Sequence, residues 1–226
     1  MNALHIQQAR LNQLAQNNGK RIAVILEGRD SAGKSGTIRE LTQYLSPNWY
    51  SVSTMAKPTK NTMKNWLRFW KKRLPKTGKI TFFDRSHYSR ALCQKVNGWC
   101  SARQYGNFMR DVNAWENSQD VIFVKFWLSI TEKTQIENLT NRELSPLQYW
   151  KLSPNDKLAV AQYNDYTIAK ETMLAQTGEW HSINYDNKAE GRLKLITTLC
   201  DILEAKIMPG SKREPFSFAN VPRGTR

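Results

Sequence analysis

A phosphate-binding loop motif occupies residues 28–35, which read Gly-Arg-Asp-Ser-Ala-Gly-Lys-Ser and directly follow the apolar run of residues 22–26. This is the G-x-x-x-x-G-K-[ST] pattern, and it lies where the motif requires, between a strand pattern and a helix pattern. The glycines allow a tight turn of inward-facing N–H groups, the lysine reaches the distal phosphates, and the serine hydroxyl serves Mg²⁺. The predicted phosphate and nucleotide site comprises Gly28, Arg29, Ser31, Ala32, Gly33, Lys34, Ser35 and Gly36.

Strand and helix patterns alternate along the whole chain of 226 residues. The predicted strands span residues 21–27, 49–55, 79–84, 121–128 and 180–185. The predicted helices span residues 3–17, 34–45, 60–74, 101–117, 131–142, 153–176 and 188–206. This alternation favours an α/β fold of the P-loop NTPase type, with a parallel sheet covered by helices on both faces. We expect one domain over residues 1–208 and a flexible basic tail over residues 209–226.

Positive charge is concentrated in one quarter of the chain. The net charge is +15, and residues 57–110 contain 14 basic side chains and one acid, Asp84. A segment this one-sided repels itself, which favours a polyanionic partner. No apolar run is long enough for a membrane helix, no secretory signal is recognisable, and the three cysteines show no metal-binding spacing. We therefore expect a cytoplasmic protein without a membrane partner.

The predicted helix over residues 60–74 has two faces. One is apolar and contains Trp66 and Trp70, which predicts core packing. The other carries cations about one turn apart, which suits a linear polyanion, although a merely solvated face is the alternative. These cations are Lys60, Lys64, Arg68, Lys71 and Lys72.

A second acidic position follows the predicted strand of residues 79–84. This strand ends in Asp84, as expected for the second metal-side acid of a phosphate-loop enzyme. Arg85 and Arg90 come directly after it, and an arginine fork suits bidentate contact with phosphate. The pattern is weak alone but is credible together with the loop at residues 28–35.

Several segments resemble the polyphosphate kinase 2 family, in order, over about residues 10–205. Residues 27–36 resemble its E-G-R-D-x-A-G-K-x-G loop, and residues 84–91 (Asp-Arg-Ser-His-Tyr-Ser-Arg-Ala) resemble its D-R-S-W-Y-N-R-A segment. Residues 126–129 and 150–154 resemble its later W-L-S and W-K-L-S-P blocks. The match is more specific than a phosphate loop alone.

The resemblance implies phosphoryl transfer between inorganic polyphosphate and a nucleoside mono- or diphosphate (ADP/ATP, AMP or GDP) on a thymidylate-kinase-like fold. It implies Mg²⁺, with Mn²⁺ as a substitute, a mobile basic helical lid over about residues 86–118, and a homo-oligomer, either dimer or tetramer. Its catalytic positions fall on Asp30, Lys34, Asp84, Arg85 and Arg90, its metal ligands on Asp30 and Asp84, and a further active-site arginine on Arg142. The expected polyphosphate-binding side chains are Lys57, Lys60, Lys64, Arg68, Lys71, Lys72, Lys95 and Arg103.

The chain departs from the family pattern at four positions. Gln94 stands where the family usually has an acid, and Asn138 stands where it often has a second arginine, one helical turn before Arg142. His87 and Ser89 replace the family's Trp and Asn. These departures identify a divergent member, in which metal binding rests on the two aspartates.

Two alternative functions remain open from the sequence. The first is an ATP-dependent nucleoside or nucleotide kinase, which shares the loop but does not need the basic segment. The second is a non-enzymatic binder of nucleic acid or polyphosphate, in which rings such as Trp66 and Tyr105 among the cations would stack on bases. We expect the enzyme, without an obligate nucleic-acid partner.

Overall fold

Five parallel strands form the central sheet of this protein. A computed structural model describes residues 2–55, 57–147, 149 and 154–208. The strands are β1 (Ile22–Gly28), β2 (Tyr50–Thr54), β3 (Ile80–Asp84), β4 (Ile122–Ser129) and β5 (His181–Asn184), and their order in the sheet is β2-β3-β1-β4-β5. The strand patterns of the sequence and the predicted α/β class are confirmed.

Ten α-helices and one short 3₁₀ helix are found in the described part of the chain. The helices are α1 (Ala3–Gln16), α2 (Lys34–Thr42), α3 (Lys60–Lys64), α4 (Trp66–Lys71), α5 (Cys93–Val96), α6 (Ala102–Asn117), α7 (Glu132–Leu144), α8 (Pro154–Ala161), α9 (Tyr163–Gln176) and α10 (Lys188–Ile207). The 3₁₀ helix is η1 (His87–Arg90). No described helix is both long and apolar enough to cross a bilayer.

The two faces of the sheet carry separate apolar cores, and β1 contributes to both. Ile22, Val24 and Leu26 face a core that includes α1, α2 and α10, whereas Ala23 and Ile25 face a core that includes α4, η1 and α6. Every residue of β1 is buried. This is the continuous burial expected of a central parallel strand, and helices on both faces produce it.

Two predicted helices are interrupted. The predicted helix over residues 60–74 is broken at Asn65, whose φ of −113° and ψ of 45° are not helical, and it becomes α3 and α4. The predicted helix over residues 153–176 is divided at Gln162. The predicted tail, residues 209–226, and most of the 150–154 block lie outside the described residues.

Candidate active site

The site lies at the carboxyl edge of the sheet, where the loops that follow the parallel strands converge. β1 lies between β3 and β4, so the phosphate loop after β1 is adjacent to Asp84 and Arg85 after β3. Ligands of open α/β sheets bind at this edge. The strand order therefore brings two segments together that are about fifty residues apart in sequence.

The two motif glycines are required by the shape of the loop. A β-carbon on Gly28 would lie 2.7 Å from the carbonyl oxygen of Leu128, so only glycine allows the close approach to β4. Gly33 has a φ of +101° and is the N-cap of α2, whose Thr37 N–H donates to the Gly33 carbonyl. The backbone N–H groups and the helix dipole of α2 then face one anion-binding position.

Lys34 is buried, although it carries a charge. Its Nζ donates to the carbonyl oxygens of Gly28 (2.9 Å) and Arg29 (2.8 Å), two residues of the loop itself. Burial and the nearby Arg85 cation lower the pKa of Lys34, while Asp30, Asp84 and Glu27 act in the opposite direction. The ammonium group is thus held inside the loop by its own backbone.

Asp30 and Arg85 form an ion pair between the phosphate loop and the segment after β3. Burial by itself would raise the pKa of Asp30, but the Arg85, Lys34 and Arg142 cations lower it below its ordinary value. Asp30 therefore stays a carboxylate. The ion pair also brings together Asp30 and Arg85, two of the catalytic positions expected from the sequence. Arg142, at the end of α7, belongs to the same electrostatic surroundings.

The oxygen atoms needed for a hard divalent cation are present beside the loop. The Ser35 hydroxyl donates to an oxygen of Asp84, as expected for a serine and an acid that share the metal side of a phosphate loop. Among the described residues there is no cluster of three His, Cys, Asp or Glu side chains that could hold a metal ion. These residues fit Mg²⁺, because it uses one or two carboxylates together with substrate phosphates rather than an all-protein cage.

Glu27 is a site residue whose role the sequence analysis missed. It is fully buried, and its Oε1 accepts hydrogen bonds from both the N–H and the Oγ of Ser86, each at 2.8 Å. Burial raises the pKa of Glu27, against the opposing effects of Arg85, Ser86 and Lys34. Glu27 thereby holds the residue next to Arg85. Its place as the first residue of the family's E-G-R-D-x-A-G-K-x-G loop was the available signal.

Two predicted phosphate ligands are directed elsewhere in this structure. Arg29 donates to the Tyr163 carbonyl (2.9 Å) and to Thr167 Oγ1, and its guanidinium lies 3.5 Å from the Tyr163 ring centroid, so it attaches α9 to the loop. Arg90 is 1% exposed, and its Nη2 donates to the Met63 carbonyl at 2.6 Å. In this structure Arg90 contacts the end of α3, whereas Arg85 contacts the loop.

Ser31 takes part in the loop through local contacts. Its φ is +64°, its hydroxyl donates to the Gln135 carbonyl (3.3 Å), and its own carbonyl accepts from Asn138 (3.3 Å). Ala32 is buried beneath the loop, and Gly36 lies in the first turn of α2. α7 therefore supports one side of the phosphate loop.

The predicted polyphosphate-binding cations lie on the surface. Lys57, Lys60, Lys64, Arg68, Lys71, Lys72, Lys95 and Arg103 are all exposed. Two of them lie over aromatic rings: Lys57 Nζ is 4.6 Å from the Trp99 ring centroid, and Lys95 Nζ is 5.0 Å from that of Tyr105. The predicted apolar face is largely confirmed, since Trp66 and Trp70 are buried.

The two main departures from the family pattern have different surroundings. Gln94 is 0% exposed, and neither atom of its amide has a hydrogen-bond partner among the described residues. Asn138 is engaged on both sides, with Ser31 through Nδ2 and with Lys188 through Oδ1. Asn138 therefore still connects α7 to the phosphate loop, although it carries no charge.

Known proteins resemble this chain over most of its length. The family model described as polyphosphate kinase 2 matches residues 1–209. A GDP-polyphosphate phosphotransferase of Mycolicibacterium smegmatis is 33% identical over 84% of this chain and 70% of its own length. An ADP-polyphosphate phosphotransferase of Rhizobium meliloti is 32% identical over 85% of this chain and 67% of its own length. The chain spans from 54% to 71% of the length of eight such curated relatives.

The solved structures agree with the sequence relatives. The crystal structure of polyphosphate kinase 2 from Arthrobacter aurescens TC1 matches with a TM-score of 0.84 and 27% identity, and the match covers 96% of this chain and 82% of that one. These matches support the expected polyphosphate phosphotransfer over the alternative of an ATP-dependent nucleotide kinase. The chain belongs to the polyphosphate kinase 2 family of phosphotransferases.

Proposed function

We propose that this chain transfers the terminal phosphoryl group between inorganic polyphosphate and a nucleoside diphosphate in a Mg²⁺-dependent reaction. The observation that carries this proposal is a phosphate loop that contacts Asp84 through Ser35 and Arg85 through Asp30. The neighbouring segments add a surface of eight exposed cations. A diphosphate acceptor is favoured because relatives of this chain are named GDP-, NDP- and ADP-polyphosphate phosphotransferases.

In the proposed mechanism the protein positions two phosphate groups and neutralises their charge. The transferred group needs in-line alignment and stabilisation of its equatorial oxygens, and little covalent chemistry from side chains. Lys34 would turn from the loop carbonyls toward the phosphates, and Arg85 would present its fork while Asp30 holds it in place. Since the acceptor is already an anion, no general base is required.

Mg²⁺ would be held by Asp30 and Asp84, the two predicted ligands, together with the Ser35 hydroxyl. When bound, it would neutralise charge on the phosphate oxygens. We further propose that the chain is cytoplasmic, forms a homo-oligomer, and uses part of residues 86–118 as a lid. Within that segment, residues 87–94 and the core-facing side chains of α6 are buried, so we place the proposed lid in the exposed stretch around Arg103.

The test is NTP formation from ADP or GDP with long-chain polyphosphate and Mg²⁺, with AMP assayed in parallel. We expect NTP from the diphosphates, and none when EDTA is added. ATP-driven phosphorylation of a nucleotide without any use of polyphosphate would contradict the proposal.

The matched control for this assay is Lys34→Met, which keeps the aliphatic stem and removes the charge. We expect transfer to fall by about a hundredfold to a thousandfold, the range for losing one preorganised charge-stabilising donor. Circular dichroism should show the same fold as the unchanged chain. If the variant retains full activity, Lys34 has no part in the reaction.

A further inference from the structure

The amino-terminal part of α10 lies over the phosphate loop and brings two more cations to it. The Cε atom of Lys188 lies 3.9 Å from the position that a β-carbon would take on Gly33, and Arg192 Nη2 lies 3.2 Å from the corresponding position on Gly36. These two glycines begin the anion-binding turn of α2. Neither cation is within 150 residues of the loop in the sequence.

Lys188 is connected to the loop through Asn138. Its Nζ donates to Asn138 Oδ1 at 2.6 Å, and Asn138 Nδ2 donates to the Ser31 carbonyl at 3.3 Å. An ammonium group has three donors, and Asn138 is the one acceptor that the described residues provide for it. The bridge holds the ammonium beside the loop while leaving it able to bind an anion.

Backbone features determine why α10 begins at this place. A β-carbon on Gly191 would lie 2.8 Å from the Asn184 carbonyl oxygen, so the missing side chain lets α10 pack closely against the end of β5. Asn187 caps the helix through the N–H of Ala189 (3.0 Å). Asp186, the residue before this cap, accepts a hydrogen bond from the Thr131 N–H (2.9 Å). This bond joins the start of α10 to the start of α7. The positions of Lys188 and Asn138 are thus coupled.

The charged groups that act on Lys188 are cations, so a bound anion would be stabilised beside it. Arg192 and Arg142 are its cationic neighbours, and partial burial together with these two arginines lowers its pKa. Two carboxylates of the loop region already face other cations: Asp30 pairs with Arg85, and Glu40 Oε2 lies 3.8 Å from Arg192 Nη1. Phosphate oxygens seated in the loop would offset the repulsion among the cations.

We propose that Lys188 is a phosphate-binding residue of this loop, which contacts a phosphoanhydride-linked phosphate of the bound substrate. This inference rests on the proposed phosphotransfer function, because it takes the loop as the seat of the reacting phosphates. Both the nucleoside diphosphate and the end of polyphosphate offer this chemistry.

The test measures binding without turnover, by calorimetric titration of tripolyphosphate and, separately, of GDP, each with Mg²⁺. The variants are Lys188→Met and Lys188→Arg, and the matched control is Lys194→Met, which removes an exposed lysine of the same helix. We expect Lys188→Met to weaken at least one ligand by about tenfold or more, as charged hydrogen bonds do. Lys188→Arg keeps the positive charge, although in a different shape, and should bind more tightly than Lys188→Met.

The ligand whose dissociation constant rises identifies the phosphate that Lys188 contacts. The proposal is overturned if Lys188→Met binds both ligands as tightly as Lys194→Met, or if Lys188→Arg is as weak as Lys188→Met. Lys188→Gln provides a second neutral variant should the methionine variant fold poorly. If the unchanged chain binds these ligands but does not transfer phosphate, the proposed function fails while the inference about Lys188 is still tested.

Discussion

Individual residues at this site adopt conformations that are unfavourable elsewhere. Arg85 has a φ of +67° and Ser31 a φ of +64°, in the left-handed region that is uncommon for residues other than glycine. Hydrogen bonds hold both: Glu27 binds Ser86 next to Arg85, and Asn138 binds the Ser31 carbonyl. Such strain concentrates at functional sites, where the surroundings determine the backbone. Here it directs the Arg85 side chain to Asp30.

The Asp30–Arg85 pair predicts a pH effect in Arg85→Gln. The Arg85 cation is the largest of the influences that lower the pKa of Asp30, so its removal lets burial raise that pKa. Asp30 then becomes protonated at higher pH, and the acidic limb of the kcat/KM profile should move to higher pH. The measurement is the pH–rate profile of both proteins at saturating Mg²⁺.

Arg39→Gln serves as the control for this profile, because Arg39 is an exposed arginine on α2. Its acidic limb should coincide with that of the unchanged chain. An acidic limb that does not move in Arg85→Gln would show that ionisation of Asp30 does not limit the reaction.

At the scale of elements, the break between α3 and α4 connects the cationic surface to the catalytic segment. Arg90 donates to the last turn of α3 at Met63 and lies 5.0 Å from the Trp66 ring centroid. The Trp66 indole N–H donates to the His87 carbonyl at 2.7 Å. These contacts fix both sides of the break to η1, which follows Asp84 and Arg85. The direction of the two short helices thus depends on Arg90 and Trp66.

Arg90→Met should therefore impair the use of long polyphosphate. The lost hydrogen bond and charge should lower the free energy of unfolding by about 1–3 kcal/mol. The KM for long-chain polyphosphate should rise by about threefold to tenfold, because the cations of α3 and α4 would no longer be aligned. The KM for tripolyphosphate, which reaches only the loop, should change little.

The KM values for long-chain polyphosphate and for tripolyphosphate distinguish two roles of Arg90: alignment of α3 and α4, or direct contact with phosphate. An equal rise in both KM values would place Arg90 in direct contact with phosphate at the loop, as the family resemblance first implied. Arg110→Met, on the exposed face of α6, is the control and should affect neither value.

Across the whole molecule, a buried polar network joins four elements of the fold. His87 Nε2 and Glu116 Oε1 are 2.8 Å apart, and Lys125 Nζ donates to Glu116 Oε2 at 2.9 Å. Lys125 also donates to Tyr88 Oη and to the Thr177 carbonyl. The network connects η1, α6, β4 and the end of α9 behind the site. Burial lowers the pKa of His87, and the Lys125 cation acts in the same direction while Glu116 opposes it, so the imidazole is neutral at pH 7.

This network predicts that stability falls in mild acid. Burial lowers the pKa of His87 in the folded state, so the unfolded chain binds more protons near the ordinary pKa of about 6.5. Stability is then fully present above that value and is lost as the pH falls below it, by at most about 1.4 kcal/mol per pH unit for one proton. Denaturant unfolding between about pH 7.5 and about pH 5.5 measures this slope.

His87→Gln should show a smaller decrease in stability over this range, since it keeps a donor for Glu116 but does not titrate. His5→Gln, at an exposed position, should follow the unchanged chain. Equal slopes for the unchanged chain and His87→Gln would mean that His87 does not account for the acid sensitivity.

Local patterns predicted the fold well because each strand and helix is indicated by residues that are close together in the sequence. The five strands match their predicted positions within about two residues, the usual uncertainty of element ends. The helix over residues 60–74 was predicted as continuous because its two faces repeat at helical spacing. Two contacts with η1 hold the break at Asn65: Arg90 of η1 donates to Met63 on one side of it, and Trp66 on the other side donates to the His87 carbonyl. No pattern within the helix contains that information.

Residue type and short spacing were enough to identify the phosphate loop, the acid at the end of β3 and the excess of cations. Which side chains meet at the site depends on how distant segments pack. That packing directed Arg85 to Asp30, turned Arg29 and Arg90 toward neighbouring helices, and brought Lys188 to the loop. The physical reason is that the order of strands in a parallel sheet, and the close packing that glycines such as Gly191 permit, are properties of distant segments together.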